Sequence, residues 1–335
     1  MRKDRGQSSW YHYKNSSWSM IKKTLYFGNP AYLSYSNGQL VVKLPEIEKA
    51  DNVPEIIKSK SMRTIPIEDI GVVVIDHKQV TVTQSVIAAL LDNNAAFITC
   101  DDKRMPTGML LPLQGHSVYN ERFRNQLDAS LPLRKQLWQQ TVKAKIENQT
   151  KILHRNNPEA SIGNMEAWAH DVRSGDPDNY EARAAVYYWK NLFKDNPSFV
   201  RDREGTPPNN LLNYGYAILR AIVARSLVMS GLFPLLGIHH HNRYNSYCLA
   251  DDIMEPYRPF VDQIVIDIYH NTSIPKELTT DIKQKLLGIP VLDVVINGKR
   301  SPLMIAVSQT TASLAKCYNG ETRKIIYPQV LCMTD

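Results

Sequence analysis

Short apolar runs separated by turn residues mark the first part of the chain. The runs lie at 24–27, 32–35, 40–44, 72–75 and 95–99. Runs of this length, rich in Val, Ile, Tyr and Phe and bounded by Gly, Asn and Pro, are typical of β-strands. We therefore predict a β-meander at the start, one short helix around Ser85 to Leu91, and a domain that is mostly β.

The apolar spacing becomes helical after a turn-rich segment at 101–112. Beyond that segment, apolar residues recur at near-helical intervals, as they do on one face of a helix. They are Leu133, Leu137, Val142, Ile146 and Leu153. A second segment, Asn209 to Gly231, follows two prolines and ends on a glycine, which predicts a long helix.

These patterns predict an α+β protein, and a length of 335 residues favours two domains. We expect a β-rich N-terminal domain at 20–102, a linker at 103–112, and a larger, all-α C-terminal domain at 113–335. Residues 1–19 are polar with scattered aromatics and lack the apolar core of a signal peptide. We expect a flexible extension there.

Cysteine spacing and hydropathy limit the kinds of protein that this chain can be. Cys100, Cys248, Cys317 and Cys332 lie far apart and form no C-x-x-C pair, which argues against a disulfide scaffold and a zinc site. The most apolar stretch, 227–238, is interrupted by glycine and proline and is too short to cross a bilayer. We expect a cytoplasmic protein without a membrane span.

Basic residues are concentrated in one predicted helix. The whole chain has a formal charge of +7, which by itself is a weak indication of a polyanionic partner. Between Arg134 and Arg155, however, six basic residues accompany a single acid. Two interpretations stay open: a solvated helix surface, or a surface that binds nucleic acid through Lys143, Lys145 and Lys151.

Three separated segments contain residues suited to chemistry. Glu181 lies at the start of a predicted helix, where a glutamate is often only a partner of the helix dipole. Residues 239–241 are consecutive histidines, whose side chains point in different directions, so one or two of them at most can face one site. Asp252 and Glu255 stand three apart and would share a helix face, although such carboxylates are often merely solvated.

Together the three segments provide carboxylate oxygens and an imidazole, a donor set suited to Mg²⁺ or Mn²⁺ rather than to structural zinc. A divalent ion held there would polarise a phosphoryl oxygen and neutralise charge on the leaving oxygen of a displacement reaction. The basic helix would then bind the DNA backbone. Arg243 and Arg258, which lie close to these segments in the sequence, complete the set of candidate DNA-binding residues.

Three blocks of the sequence resemble the CRISPR-associated integrase family Cas1. They are Pro207-Pro208-Asn209-Asn210-Leu211-Leu212-Asn213-Tyr214-Gly215-Tyr216, Gly231 through His240, and Leu249 through Pro259 followed by Asp262. The blocks occur in the same order as in the family, and their residues resemble those of the variant from type II systems. The resemblance covers residues 20–332 and implies a β-rich dimerisation domain followed by a helical catalytic domain.

Carried over by position, the family's metal-binding residues fall on Glu181, His240 and Glu255, and its second helix carboxylate falls on Asp252. If the register shifts by one, His239 becomes the alternative ligand. The resemblance implies a Mg²⁺- or Mn²⁺-dependent endonuclease and integrase of antiviral defence, in which a prespacer 3′-hydroxyl attacks a phosphodiester at the CRISPR repeat. It also implies a homodimer, and a hetero-oligomer in which the small partner Cas2 bridges two such dimers.

Two other interpretations stay open. One is a general metal-dependent DNA nuclease without an integration partner, and the other is a DNA-binding scaffold without turnover. The set of carboxylates and histidine argues against the scaffold, because a protein that only contacts phosphates does not need a cation site.

Overall fold

The computed structural model describes residues 22–45, 62–113, 116–196, 198–202, 205–271 and 278–331. Its strands are β1 (Lys23–Phe27), β2 (Ala31–Ser36), β3 (Gln39–Lys43), β4 (Arg63–Pro66), β5 (Ile70–Ile75), β6 (Val80–Val82), β7 (Ala96–Cys100), β8 (Pro106–Leu110), β9 (Asp293–Ile296) and β10 (Lys299–Pro302). Its helices are α1 (Gln84–Asp92), α2 (Tyr119–Leu127), α3 (Leu131–Asn156), α4 (Gly163–Asp171), α5 (Tyr180–Leu192), α6 (Asn209–Met229), α7 (Cys248–Met254), α8 (Arg258–Asn271), α9 (Thr280–Leu286) and α10 (Leu303–Tyr318). The predicted extension at 1–19 and Cys332 lie outside the described residues.

The first sheet has the strand order β1-β5-β7-β8 and separates two hydrophobic cores. Strands β1, β5 and β7 are parallel, and β8 is antiparallel to β7. Alternate residues of a strand point to opposite faces of its sheet. Val73 accordingly packs in the N-terminal core, whereas Val72 and Val74 pack in the core of the helical region. Burial on both faces explains why β5 is an uninterrupted apolar run.

The second sheet has the order β4-β3-β2-β6, and it corrects the predicted β-meander. Strands β2 and β3 form a hairpin whose turn residues, Asn37 and Gly38, both have positive φ, as a tight hairpin requires. Strand β1, in contrast, pairs in parallel with β5 in the other sheet. The prediction was wrong for β1 because a local pattern identifies a strand without identifying its partner.

The segment predicted as a linker, 103–112, contains β8, which extends the first sheet. Turn residues on either side of this short strand obscured it in the sequence. The C-terminal region also contains the β9–β10 hairpin, so the prediction that it is all-α was wrong in this detail. A strand-rich N-terminal region followed by a mostly helical one confirms the α+β class.

Two long helices form the centre of the helical region. Helix α3 has 26 residues and begins at Ser130, whose hydroxyl accepts a hydrogen bond from the Leu133 amide at 3.3 Å. Leu137, Val142 and Ile146 of α3 are buried, as predicted. Helix α6 is long and apolar enough to cross a membrane, but 83% of its most apolar window is buried inside the protein. It is therefore a core helix.

Candidate metal centre

Helix α5 places Glu181 in its first turn. The carboxylate of Asp176 accepts hydrogen bonds from the backbone amides of Tyr180 at 2.9 Å and Glu181 at 3.0 Å. These amides have no partner inside the helix, so a carboxylate at this position stabilises the helix start. The predicted helix start at Glu181 is thus confirmed, and the first turn holds this side chain beside α3.

The histidine segment is held by Asp252, which lies on α7 and is fully buried. Its carboxylate accepts hydrogen bonds from the backbone amides of Ile238 at 2.6 Å and His239 at 2.9 Å, and it lies 2.5 Å from Nδ1 of His240. A Cβ atom at Gly237 would lie 2.2 Å from the His240 carbonyl oxygen, so only glycine permits this loop.

Asp252 is one of the candidate metal residues of the sequence, and in this structure its oxygens hold the loop and the imidazole. With Nδ1 on Asp252, Nε2 is the ligand atom that His240 offers. The hydrogen bond to Asp252 raises the pKa of His240, while burial opposes this.

The indole of Trp138 on α3 contacts the rings of His239 and His240 in two different orientations. The His239 ring stacks on the indole at a centroid distance of 4.3 Å and an angle of 4°, whereas the His240 ring meets it edge-on at 5.5 Å and 89°. The structure therefore favours His240 over His239 as the ligand. No sequence pattern singled out Trp138.

Lys145 connects Glu181 with Glu255. Its buried ammonium contacts Oε1 of Glu181 and lies 2.5 Å from Oε2 of Glu255, which begins a 3₁₀ turn after α7. Two carboxylates from distant parts of the chain thus share one cation. Burial acts to lower the pKa of Lys145, but the charges of Glu255 and Glu181 outweigh it and the pKa is raised.

The pKa of Glu255 is lowered although the side chain is buried. Burial alone would raise its pKa, but the charges of Arg258 and Lys145 lower it. The guanidinium of Arg258 lies 3.0 Å from Oε1 of Glu255, and it also stacks on the ring of Tyr216 at 4.8 Å. Oε2 of Glu255 is buried, and no described group other than the Lys145 ammonium offers it a hydrogen bond.

The candidate DNA-binding residues divide into two groups. Lys143 and Arg243 are exposed and Lys151 is half-buried. Lys145 and Arg258 are instead committed to internal ion pairs with the candidate metal ligands, so neither presents a free charge to phosphate. Lys145 stands four residues from both Thr141 and Gln149, so these three polar residues share one side of α3, and the fold buries that side.

The donor atoms gathered here, rather than their present arrangement, match a divalent cation. Glu181 and Glu255 already contact a shared cation, and their charges both help to raise the pKa of the neighbouring His240. Within the described ranges, no three His, Cys, Asp or Glu side chains form a group that could hold a metal ion as they stand, and the Lys145 ammonium lies between the two glutamates. Carboxylate oxygens and one imidazole nitrogen are the donors expected for Mg²⁺ or Mn²⁺.

Comparison with known proteins assigns the chain to a family. The family described as CRISPR associated protein Cas1 matches residues 26–288. The CRISPR-associated endonuclease Cas1 of Neisseria meningitidis serogroup C is 35% identical over 269 residues, which are 80% of this chain and 88% of that protein. The chain belongs to the Cas1 family.

Solved structures show the same fold. A casposase bound to its integration product has a TM-score of 0.72 at 19% identity, over 90% of this chain and 92% of that one. A Cas6-RT-Cas1–Cas2 complex has a TM-score of 0.69 at 20% identity, over 93% of this chain and 36% of the matched chain.

Proposed function

We propose that this chain is a divalent-metal-dependent DNA integrase and endonuclease of CRISPR adaptation. The observation that carries the proposal is the convergence of Glu181 and Glu255 on one cation, beside an imidazole that Asp252 orients. Family membership and the relative named an endonuclease agree with it. A DNA-binding scaffold without turnover would not require two carboxylates to be gathered in this way.

In the proposed reaction, the oxygen of a prespacer 3′-hydroxyl forms a bond to a repeat phosphorus while the bond to the existing 3′-oxygen breaks. One phosphodiester replaces another, so no external energy source is needed. Glu181, Glu255 and Nε2 of His240 would hold Mg²⁺ or Mn²⁺. When bound, the ion would supply polarisation of the phosphoryl oxygen and stabilisation of the leaving oxygen.

Partners also belong to the proposal. We propose that the chain acts as a cytoplasmic homodimer on prespacer and repeat DNA, with a small Cas2 subunit bridging two dimers. A solved complex that contains both Cas1 and Cas2 supports this assembly. The exposed side chains of Lys143 and Arg243 are the candidate contacts to phosphate.

The experiment is a strand-transfer assay with Mg²⁺ or Mn²⁺, a prespacer duplex and a plasmid that carries the repeat, with and without Cas2. Glu181→Ala and Glu255→Ala should abolish covalent half-site products and leave DNA affinity largely intact. Glu166→Ala, which removes an exposed glutamate of α4, should behave like the parent. Plasmid nicking without joined product would indicate the general nuclease instead, and parental joining by both variants would refute the assigned site.

A further inference from the structure

Lys145 is unusual among the lysines of α3. Its side chain is 8% exposed, whereas that of Lys143, two residues earlier on the same helix, is 51% exposed. A buried ammonium is costly unless it is paired, and Lys145 is paired twice, with Glu181 and with Glu255. Both partners are the carboxylates that the proposed function assigns to the metal.

The ammonium and a divalent ion would require the same space. A Mg²⁺ or Ca²⁺ ion lies about 2.0–2.6 Å from its carboxylate oxygens. The Lys145 nitrogen lies 2.5 Å from Oε2 of Glu255 and also contacts Oε1 of Glu181. An ion that binds both of these oxygens would therefore coincide with the ammonium.

The electrostatics of the pocket also suit an exchangeable cation. Oε2 of Glu255 is buried, and no described group other than the Lys145 ammonium, 2.5 Å away, offers it a hydrogen bond. A lysine side chain has a flexible four-carbon stem, and one of its two partners here, Glu181, is 28% exposed, so the site can be reached from solvent on the side of Glu181.

We propose that Lys145 is an internal competitor of the divalent ion: it holds Glu181 and Glu255 together in the metal-free protein and leaves them when the ion binds. This inference rests on the proposed function, because it assumes that the two glutamates are metal ligands. The cost of displacing the ammonium then sets the metal concentration at which the centre fills.

The test is titration of the full chain with Mn²⁺ by calorimetry, without DNA. Lys145→Met removes the competing charge and should bind Mn²⁺ about tenfold more tightly than the parent, equivalent to about 1.4 kcal/mol. Lys145→Arg retains the charge and adds donors that match carboxylates, so it should bind Mn²⁺ more weakly. Lys135→Met, the matched control at an exposed position of the same helix, should bind as the parent does.

Thermal unfolding provides a second measurement. Without metal, Lys145→Met should have a lower Tm than the parent, because the two carboxylates then lose their shared cation and only Arg258 remains beside Glu255, and saturating Mn²⁺ should remove the difference. A general packing defect would lower the Tm with and without Mn²⁺, which would overturn the inference.

The outcomes separate the two proposals. A parent that binds no Mn²⁺ overturns the proposed function. A parent that binds Mn²⁺ while folded Lys145→Met binds no more tightly overturns only the role of Lys145. If Lys145→Met does not fold, Lys145→Arg decides: weaker binding than the parent supports the competition, and equal or tighter binding refutes it.

Discussion

The carboxylates of the candidate centre contact different partners, and these contacts indicate different roles. Glu181 and Glu255 contact a cation, whereas Asp252, although it stands only three positions from Glu255, contacts amides and an imidazole. The contacts of Asp252 in this structure fit a residue that positions the loop and the imidazole. At the residue scale, the candidate centre therefore contains candidate ligands and a group that orients one of them.

Asp252→Asn tests this positioning role. The amide cannot replace both carboxylate oxygens, so His240 should lose its fixed orientation and strand transfer should fall about 10- to 100-fold. Mn²⁺ affinity should fall with it, while DNA affinity stays unchanged. Asp267→Asn, at an exposed position on α8, is the matched control. Parental metal affinity in Asp252→Asn would show that Asp252 does not act through His240.

A second buried carboxylate, Asp262 on α8, should make the stability of the protein depend on pH. It accepts hydrogen bonds from the hydroxyls of Tyr188, at 2.9 Å, and Tyr216. Burial raises the pKa of Asp262 to about 7, although the hydrogen bonds from the two tyrosines act to lower it. In the unfolded chain an aspartate titrates near pH ~3.9.

Between these two values the folded protein holds one proton more than the unfolded chain, so stability falls as pH rises from about 4 to 7 and then levels off. Asp262→Asn removes this titration. The Tm of the parent relative to Asp262→Asn should therefore be higher at pH 5 than at pH 8 by thermal unfolding. If the Tm of the parent relative to Asp262→Asn is the same at both pH values, or higher at pH 8, the raised pKa of Asp262 is contradicted.

At the scale of elements, α3 has two functions that its sequence does not distinguish. Its buried side provides Trp138 and Lys145 to the candidate centre, whereas its outer side presents Lys143. A basic segment that looked uniform in the sequence is thus divided by helix geometry. Only the outward residues remain candidates for phosphate contact.

Removing the outward charges should change DNA binding in a defined way. Lys143→Ala combined with Lys151→Ala should weaken binding to all sequences and reduce the slope of log affinity against log salt by about 2, because each phosphate contact contributes about 0.9. The control is Lys78→Ala with Lys316→Ala, which removes the same charge from exposed positions on other elements. Equal slopes for the two double variants, measured by fluorescence anisotropy, would argue against a DNA-binding role for α3.

At the scale of the whole molecule, a buried ion pair joins the β-rich region to the helical region. The ammonium of Lys283 on α9 lies 2.7 Å from the carboxylate of Asp76, which follows β5, and donates to the Arg104 carbonyl at 3.1 Å. The hydroxyl of Tyr26 on β1 donates to the same carboxylate. Because Asp76 and Lys283 are both buried, this contact ties the position of the first sheet to that of the helical region.

Removing one partner of this ion pair should lower the free energy of unfolding more than removing both charges. Lys283→Met leaves the buried carboxylate of Asp76 unpaired and should cost about 3–5 kcal/mol of unfolding free energy. Adding Asp76→Asn removes the uncompensated charge, so the double variant should recover part of that loss in urea denaturation. Equal losses for the single and double variants would mean that packing, not charge, determines the effect.

The sequence alone determined the elements and the candidate residues. The main strands, α1, the starts of α5 and α6, and the residues Glu181, His240, Asp252 and Glu255 were all predicted, because hydrophobic period and turn chemistry are local properties and because motif resemblance identifies positions. The resemblance, however, identified Asp252 only as a further carboxylate. Its role in orienting His240 depends on amides that reach it through the fold.

Only the tertiary structure determined which strands pair and which charged side chains contact one another. It placed β1 beside β5, formed β8 within the predicted linker, and turned Lys145 inward to two glutamates while leaving Lys143 outside. Strand pairing and ion pairing depend on groups that are distant along the chain. A lysine in a helical pattern looks the same in the sequence whether its side chain meets solvent or two carboxylates. Only the packing of α3 against α5 and the turn at Glu255 distinguished Lys145 from Lys143.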